Sequence, residues 1–166
     1  YRGVEDGITY VDIPGLSKPS NIIRIRLANV ISPELIHGNG EPEYNYDNVR
    51  GTQGNFVIPI EVIYRNSLPK GSSVFRRLMD EKDPLTPGDM GLTEMPKEGD
   101  RLPHVFVDGS TKYEEFDRYP GWEELQYIAG LTDRELNDIR KLAVEASSVI
   151  TEGMKDAGFS NEDGKF

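Results

Sequence analysis

A turn of Gly71, Ser72 and Ser73 sits among Arg65, Lys70, Arg76 and Arg77, in a chain whose formal net charge is −10. Arg65 closes an apolar run, FVIPIEVIYR at 56–65, so a strand can hold its base rigid. A guanidinium is a planar fork of donors that suits a phosphate or a carboxylate. Gly71 lets a backbone come close to a ligand. Ser72 and Ser73 offer hydroxyls and can cap the helix that follows. The free amides at a helix start favour an anion. The same pattern fits a plain N-cap beside surface arginines, and the residues alone leave the two readings level.

A second polar cluster is STKYEEFDR, residues 110–118. Its Lys112 can meet a phosphate or carboxylate. Glu114, Glu115 and Asp117 fit a cation site and a solvated acidic turn alike. Glu123 and Glu124 read as helix-surface charges. His37 falls in a loop and His104 at the start of a strand, neither with a second ligand at metal spacing, so both read as structural or exposed and no metal site is assigned. The absence of cysteine removes disulfides, thiolate chemistry and sulfur ligands.

These clusters need elements to hold them. Residues 7–13 predict a short strand. Residues 22–31 alternate Ile23, Ile25 and Leu27 with Arg24 and Arg26, the pattern of a half-buried strand. Residues 56–65 predict the strongest strand, with Pro59 at an edge, bulge or crossing point because it cannot donate to a ladder. Residues 104–107 predict another. A short helix is expected at 73–82, and long loops at 32–55 and 80–103. Thr132 and Glu135 form a capping box. Leu136, Ile139, Leu142, Ala143, Ala146, Val149, Ile150 and Met154 then recur at helical spacing, and Gly158 stops the helix. The pattern predicts an α+β unit, an antiparallel sheet packed against a long C-terminal amphipathic helix.

With 166 residues, 36% of them hydrophobic, the chain suits one domain or two very small ones. No apolar run approaches the ~18 residues of a membrane span, and YRGVEDGITY lacks the regions of a signal peptide. No membrane partner and a cytoplasmic setting are expected. The acidic balance argues against nucleic-acid binding, which needs a cationic surface. It leaves room for a local arginine cluster that binds a small anion.

The segment VIPIEVIYRNSLPKGSS, residues 57–73, resembles the part of phosphoribosylaminoimidazole-succinocarboxamide synthases (SAICAR synthases) in which a P-x-E strand runs into Arg-Asn and then Gly-Ser. STKYEEFDR is similar to that family's Lys-containing motif ending in Asp. The helix at 132–157 and DAGFSNEDGKF resemble its helix, A-G turn and D-x-K-x-E strand. The three motifs stand in the family's order across residues 20–166.

The resemblance implies an ATP-grasp-like fold and a carbon–nitrogen ligase of purine biosynthesis. Carboxyaminoimidazole ribonucleotide (CAIR) and L-aspartate would be joined with ATP and Mg²⁺, through an activated carboxylate that the amine attacks. It implies that Arg65, Gly71 and Ser72 hold the ribonucleotide, with Lys112 and Asp117 on the substrate side. Val57 and Glu61 would lie at the adenine, and Lys165 near the nucleotide phosphates. It also implies that residues 1–166 are one unit, a fragment spanning the hinge and part of the second lobe. A Gly-Lys phosphate loop would precede Tyr1, and the Glu of D-x-K-x-E and an acidic D-E-x-S-P-D segment would follow Phe166. The 166 residues alone are expected to be inactive, and surface bared by the missing lobe to favour self-association as a homo-oligomer. A non-catalytic nucleotide- or anion-binding module and a related ligase with another acceptor are the alternatives.

Overall fold

A computed structural model describes residues 3–5, 8–10, 27–36, 42–81 and 83–166. The chain divides into two compact units, one within Tyr1–Val30 and Gly54–Val57, the other within Ile31–Gln53 and Ile58–Phe166. In the first, β1 (Gly3–Glu5) and β2 (Ile8–Tyr10) form an antiparallel hairpin with Gly3 opposite Tyr10. Asn29 bridges Phe56 in parallel. The strand expected at 7–13 is present over Ile8–Tyr10, and its remainder lies outside the described residues. Residues 22–26 of the other expected strand, and His37, also lie outside them, and from Leu27 onward that segment pairs through Asn29.

In the second unit β3 (Glu34–Ile36) and β4 (Glu43–Asn45) form a hairpin that leads into α1 (Asp47–Arg50). This corrects the long loop expected at 32–55. Low apolar content hid the hairpin, but Tyr46 and Val49 are buried and anchor the segment. The main sheet follows. Its centre is β5 (Ile60–Ser67), flanked antiparallel by β6 (Arg101–Thr111) and β7 (Asp163–Lys165). The strand expected at 56–65 thus begins at Ile60 and runs to Ser67. Pro59 has no amide to give. It stays just outside the ladder, where its carbonyl accepts the Lys112 amide at 3.1 Å. The strand expected at 104–107 is longer, Arg101–Thr111.

The helix expected at 73–82 is shorter. α2 spans Ser73–Arg77. The Met79 and Asp80 amides bond three residues back, to Arg76 and Arg77 at 3.2 and 3.1 Å, which tightens the chain out of the helix. The loop expected at 80–103 holds a 3₁₀ turn, Pro87–Met90, capped by Thr86 and Asp89. Met90 packs with Leu68 and Val74 in a core cluster that also takes in Phe75, Leu85 and Phe106. That cluster fixes the Gly-Ser turn from beneath.

Two helices complete the unit, α3 (Trp122–Ala129) and α4 (Asp133–Asp156). The expected capping box is present. The Thr132 amide donates to Glu135 at 2.8 Å, and the Glu135 amide to Thr132 Oγ1 at 3.3 Å. Strand alternation places Val62, Tyr64 and Asn66 on one face of β5, and Glu61, Ile63 and Arg65 on the other. The first face meets α3 and α4. Asn66 Nδ2 donates to Ser147 Oγ on α4 at 3.1 Å. Gly109, opposite Val62, lies so close to α3 that a Cβ there would stand 2.5 Å from Leu125 and 3.2 Å from Trp122. The buried seam of α4 is Leu136, Ala143 and Ser147, while Leu142 and Val149 are exposed. Helical spacing had placed both on the apolar face and passed over Ser147, which is buried because Asn66 and Asn161 bond it.

Candidate functional site

The opposite face of β5 carries the polar residues. Arg65 is 4% exposed. Its Nη1 donates to Ser72 Oγ at 3.4 Å and to Asp163 Oδ2 at 3.3 Å, and its Nη2 to Ser73 Oγ at 3.1 Å. These bonds are long, and the buried Nε has no partner. A buried donor left unpaired costs roughly 1–3 kcal/mol. Gly71 takes a φ of +82°, a conformation that side chains resist, and a Cβ there would meet open space. The turn is thus shaped by the backbone and is uncrowded above it. Ser72 also caps α2, accepting the Val74 amide.

Farther along the same strand stands a second group. Glu61 accepts Lys112 Nζ at 3.2 Å and Ser110 Oγ at 3.4 Å, and is ion-paired with Lys165. Lys165 also faces Asp117 at 3.5 Å. Burial pushes the Glu61 carboxyl upward, but the bonds from Lys165 and Lys112 outweigh it and hold the group below the usual carboxylate range. The bond to Glu61 raises Lys165 above the usual amine range, with burial opposing. Glu61 is therefore an anion and Lys165 a cation at neutral pH. Four residues at ~3.3 Å each separate Glu61 from Arg65, roughly 13 Å along one face.

The loop that carries Lys112 and Asp117 is clamped from outside. Tyr46 Oη donates to Glu114 Oε1 at 2.8 Å, and the Glu115 amide donates to Tyr44 Oη at 2.8 Å. Arg118 bonds Glu114 at 2.9 and 3.0 Å and pairs with Glu124. The Glu114 carboxylate is thus taken by protein partners. A third buried group, Arg77, donates to Asp83 at 2.7 Å, pairs with Asp108 and lies over the Tyr119 ring. Every direction of that fork is engaged, which makes it structural.

Over 165 residues, 99% of the chain, it is 38% identical to an Archaeoglobus fulgidus protein provisionally named phosphoribosylaminoimidazole-succinocarboxamide synthase, and it covers 46% of that protein. Proteins of that name from Thermoplasma acidophilum and Thermoplasma volcanium are each 31% identical, over 69% and 67% of the chain and 37% and 36% of their own lengths. The chain is homologous to the SAICAR synthases. No family model matches it. The chain spans less than half the length of these relatives.

Seven of the eight residues that the resemblance to SAICAR synthases singled out lie in the larger unit, in two groups: Arg65, Gly71 and Ser72, and Glu61, Lys112, Asp117 and Lys165. The eighth, Val57, belongs to the smaller unit, where its amide donates to the Asn29 carbonyl at 2.8 Å. Asp163, Ser73 and Ser110 join the two groups without having been assigned to them. Ser73 was visible as the second serine of the turn. Asp163 and Ser110 are brought in by register, opposite Arg65 and Glu61.

Proposed function

We propose that the chain is part of an ATP-dependent ligase that joins CAIR to L-aspartate, on an ATP-grasp-like fold. The reading rests on homology and on one geometric observation, two charged groups on one face of a strand, one around Arg65 and one where Lys112 and Lys165 meet Glu61, roughly 13 Å apart at ~3.3 Å per residue. That separation matches a ribonucleotide laid along β5, its phosphate at one end and its base carboxylate at the other. Arg65, with Ser72 and Ser73 beside it, takes the phosphate; the open space over Gly71 supports this. Lys112 lies at the carboxylate end with Asp117.

ATP fits the same face through Lys165, whose ammonium is held in place by Glu61 and Asp117. When bound, ATP supplies the activation of the substrate carboxylate. The protein's part is to align that carboxylate with the attacking amine and to keep water out. Glu61 serves as the counter-charge that sets both lysines. Among the described residues no three acidic or histidine side chains converge to hold a metal, so these residues do not by themselves make a magnesium site. Among the described residues no helix is long and apolar enough to cross a membrane.

ADP release by the complete reading frame, with CAIR and L-aspartate omitted in turn, tests the proposal. ADP that appears only with both present supports it. ADP without aspartate points to another acceptor, and none in any combination to a binding module. The 166 residues alone are expected to release none, and measurable turnover by them would refute that.

A further inference from the structure

Lys112 and Asp117 stand near the two ends of one loop. The Thr111 amide closes that loop on the Arg118 carbonyl at 2.9 Å, and the Lys112 amide ties its base to the Pro59 carbonyl at 3.1 Å. Between Lys112 and Asp117 the chain runs through bends, with no strand or helix to fix its path. A side chain turned inward sets that path instead. The Glu114 carboxylate is 5% exposed. Its Oε1 accepts Tyr46 Oη at 2.8 Å and Arg118 Nη2 at 2.9 Å, and its Oε2 accepts Arg118 Nε at 3.0 Å. A buried carboxylate is costly to leave short of donors, so Glu114 stays where both partners reach it.

The Arg118 bonds lie within the loop and fix its shape. The tyrosine fixes its place. Tyr46 is buried, and its carbonyl starts α1 by accepting the Val49 and Arg50 amides at 2.9 and 3.1 Å. α1 rests in turn on α3, with Arg50 over the Tyr127 ring at 4.1 Å from its centroid. Burial, and then the bond to Glu114, push the Tyr46 hydroxyl well above the usual tyrosine value, so it remains a donor. Tyr44, two residues earlier at the end of β4, adds a second hold, its hydroxyl accepting the Glu115 amide at 2.8 Å. Two tyrosines of one short segment, EYNY at 43–46, thus grip the middle of the loop. From its ends, Lys112 Nζ reaches Glu61 at 3.2 Å and Asp117 faces Lys165 at 3.5 Å.

We propose that Tyr46, supported by Tyr44, is a positioning residue: acting through Glu114, it sets the loop so that Lys112 is aligned on the substrate carboxylate. The inference rests on the ligase reading, which puts Lys112 at that carboxylate. Tyr46 touches no reactant. Its hydroxyl decides where the loop stands, and the loop decides where the ammonium stands.

Tyr46→Phe in the complete reading frame keeps the ring and removes only the donor. Amide hydrogen exchange at Glu115 and Arg118 is expected to quicken about tenfold more than at Ile63, which lies in the sheet. KM for CAIR is expected to rise about tenfold, and KM for ATP to change by less than about twofold, because Lys165 keeps Glu61. A mere loss of folded enzyme lowers kcat and leaves both KM values alone. Glu114→Gln is expected to raise KM for CAIR as well, and the double variant to be no worse than the poorer single one within about twofold. Loop amides that stay protected in Tyr46→Phe would overturn the proposal. So would quickened amides with an unchanged KM for CAIR, or losses that multiply in the double variant. An unsubstituted enzyme that releases no ADP with CAIR and L-aspartate overturns the ligase reading instead, and the exchange result then decides the hold on the loop by itself.

Discussion

Two buried arginines of similar exposure should respond in opposite ways to the same substitution. Arg65 and Arg77 are each 4% exposed. In Arg65→Met the protein loses three contacts of 3.1 to 3.4 Å, to Ser72, Ser73 and Asp163. At ~0.5–1 kcal/mol each, that is about 2 kcal/mol. It also sheds an unpaired buried donor, whose penalty of roughly 1–3 kcal/mol is of the same size. Asp163, its side chain 39% exposed, can return to water. The net change is expected within about 1 kcal/mol of zero, a shift in Tm of no more than ~4 °C. Arg77→Met instead strands Asp83 and Asp108, whose side chains are 12% and 10% exposed. Breaking a buried pair from one side costs about 3–5 kcal/mol, a fall of roughly 10 °C. Ligand binding reverses the ranking. Charged hydrogen bonds from the Arg65 fork to a phosphate, about 2–4 kcal/mol in all, make Arg65→Met bind ribose 5-phosphate roughly 30- to 700-fold more weakly. The assays are thermal unfolding and calorimetric titration. If Arg65→Met unfolds as early as Arg77→Met, or keeps its phosphate affinity, the argument from the unpaired Nε is wrong.

Three further outcomes follow from the geometry. Gly109→Ala puts a methyl group 2.5 Å from Leu125, and should destabilise by about 1–3 kcal/mol, read as a lower urea midpoint. Glu61 has a depressed pKa, so its contribution to stability is full above the ordinary glutamate range and is lost as pH falls through the lowered value; Glu61→Gln should flatten that acid limb in denaturant titrations between pH 5 and 3. The Tyr46 hydroxyl is pushed well above its ordinary value by burial, then by its bond to Glu114. The unfolded chain ionises first, near pH 10, so this tyrosine favours unfolding as pH rises beyond that point. Tyr46→Phe should unfold less steeply between pH 10 and 11.5, and an unchanged slope would refute the assignment.

The local signals of the chain were strong where one residue's chemistry decides an outcome alone. The capping box at Thr132 and Glu135 and the stop at Gly158 are legible because each rests on a backbone donor or a φ angle within a few residues, whereas Pro59, expected inside the strand, lies just before its first residue. The residues around Arg65, Lys112 and Lys165 were singled out through the resemblance of ordered motifs to the SAICAR synthases, and pattern alone left their roles open. Partnership across the chain was not legible. Nothing near Tyr46 in sequence indicates Glu114, and nothing near Arg77 indicates Asp108; these contacts span 68 and 31 residues. Ser147 reads as a polar interruption of an apolar helix face until Asn66, 81 residues away, explains its burial. Register assembled the candidate site. Because alternate residues of a strand point to opposite faces, the pairing of β5 with β6 and β7 decided that Glu61, Ser110 and Lys165 share a face with Arg65 and Asp163. Sequence spacing supplied the groups. Hydrogen-bonded register, which depends on residues far apart in the chain, determined which of them meet.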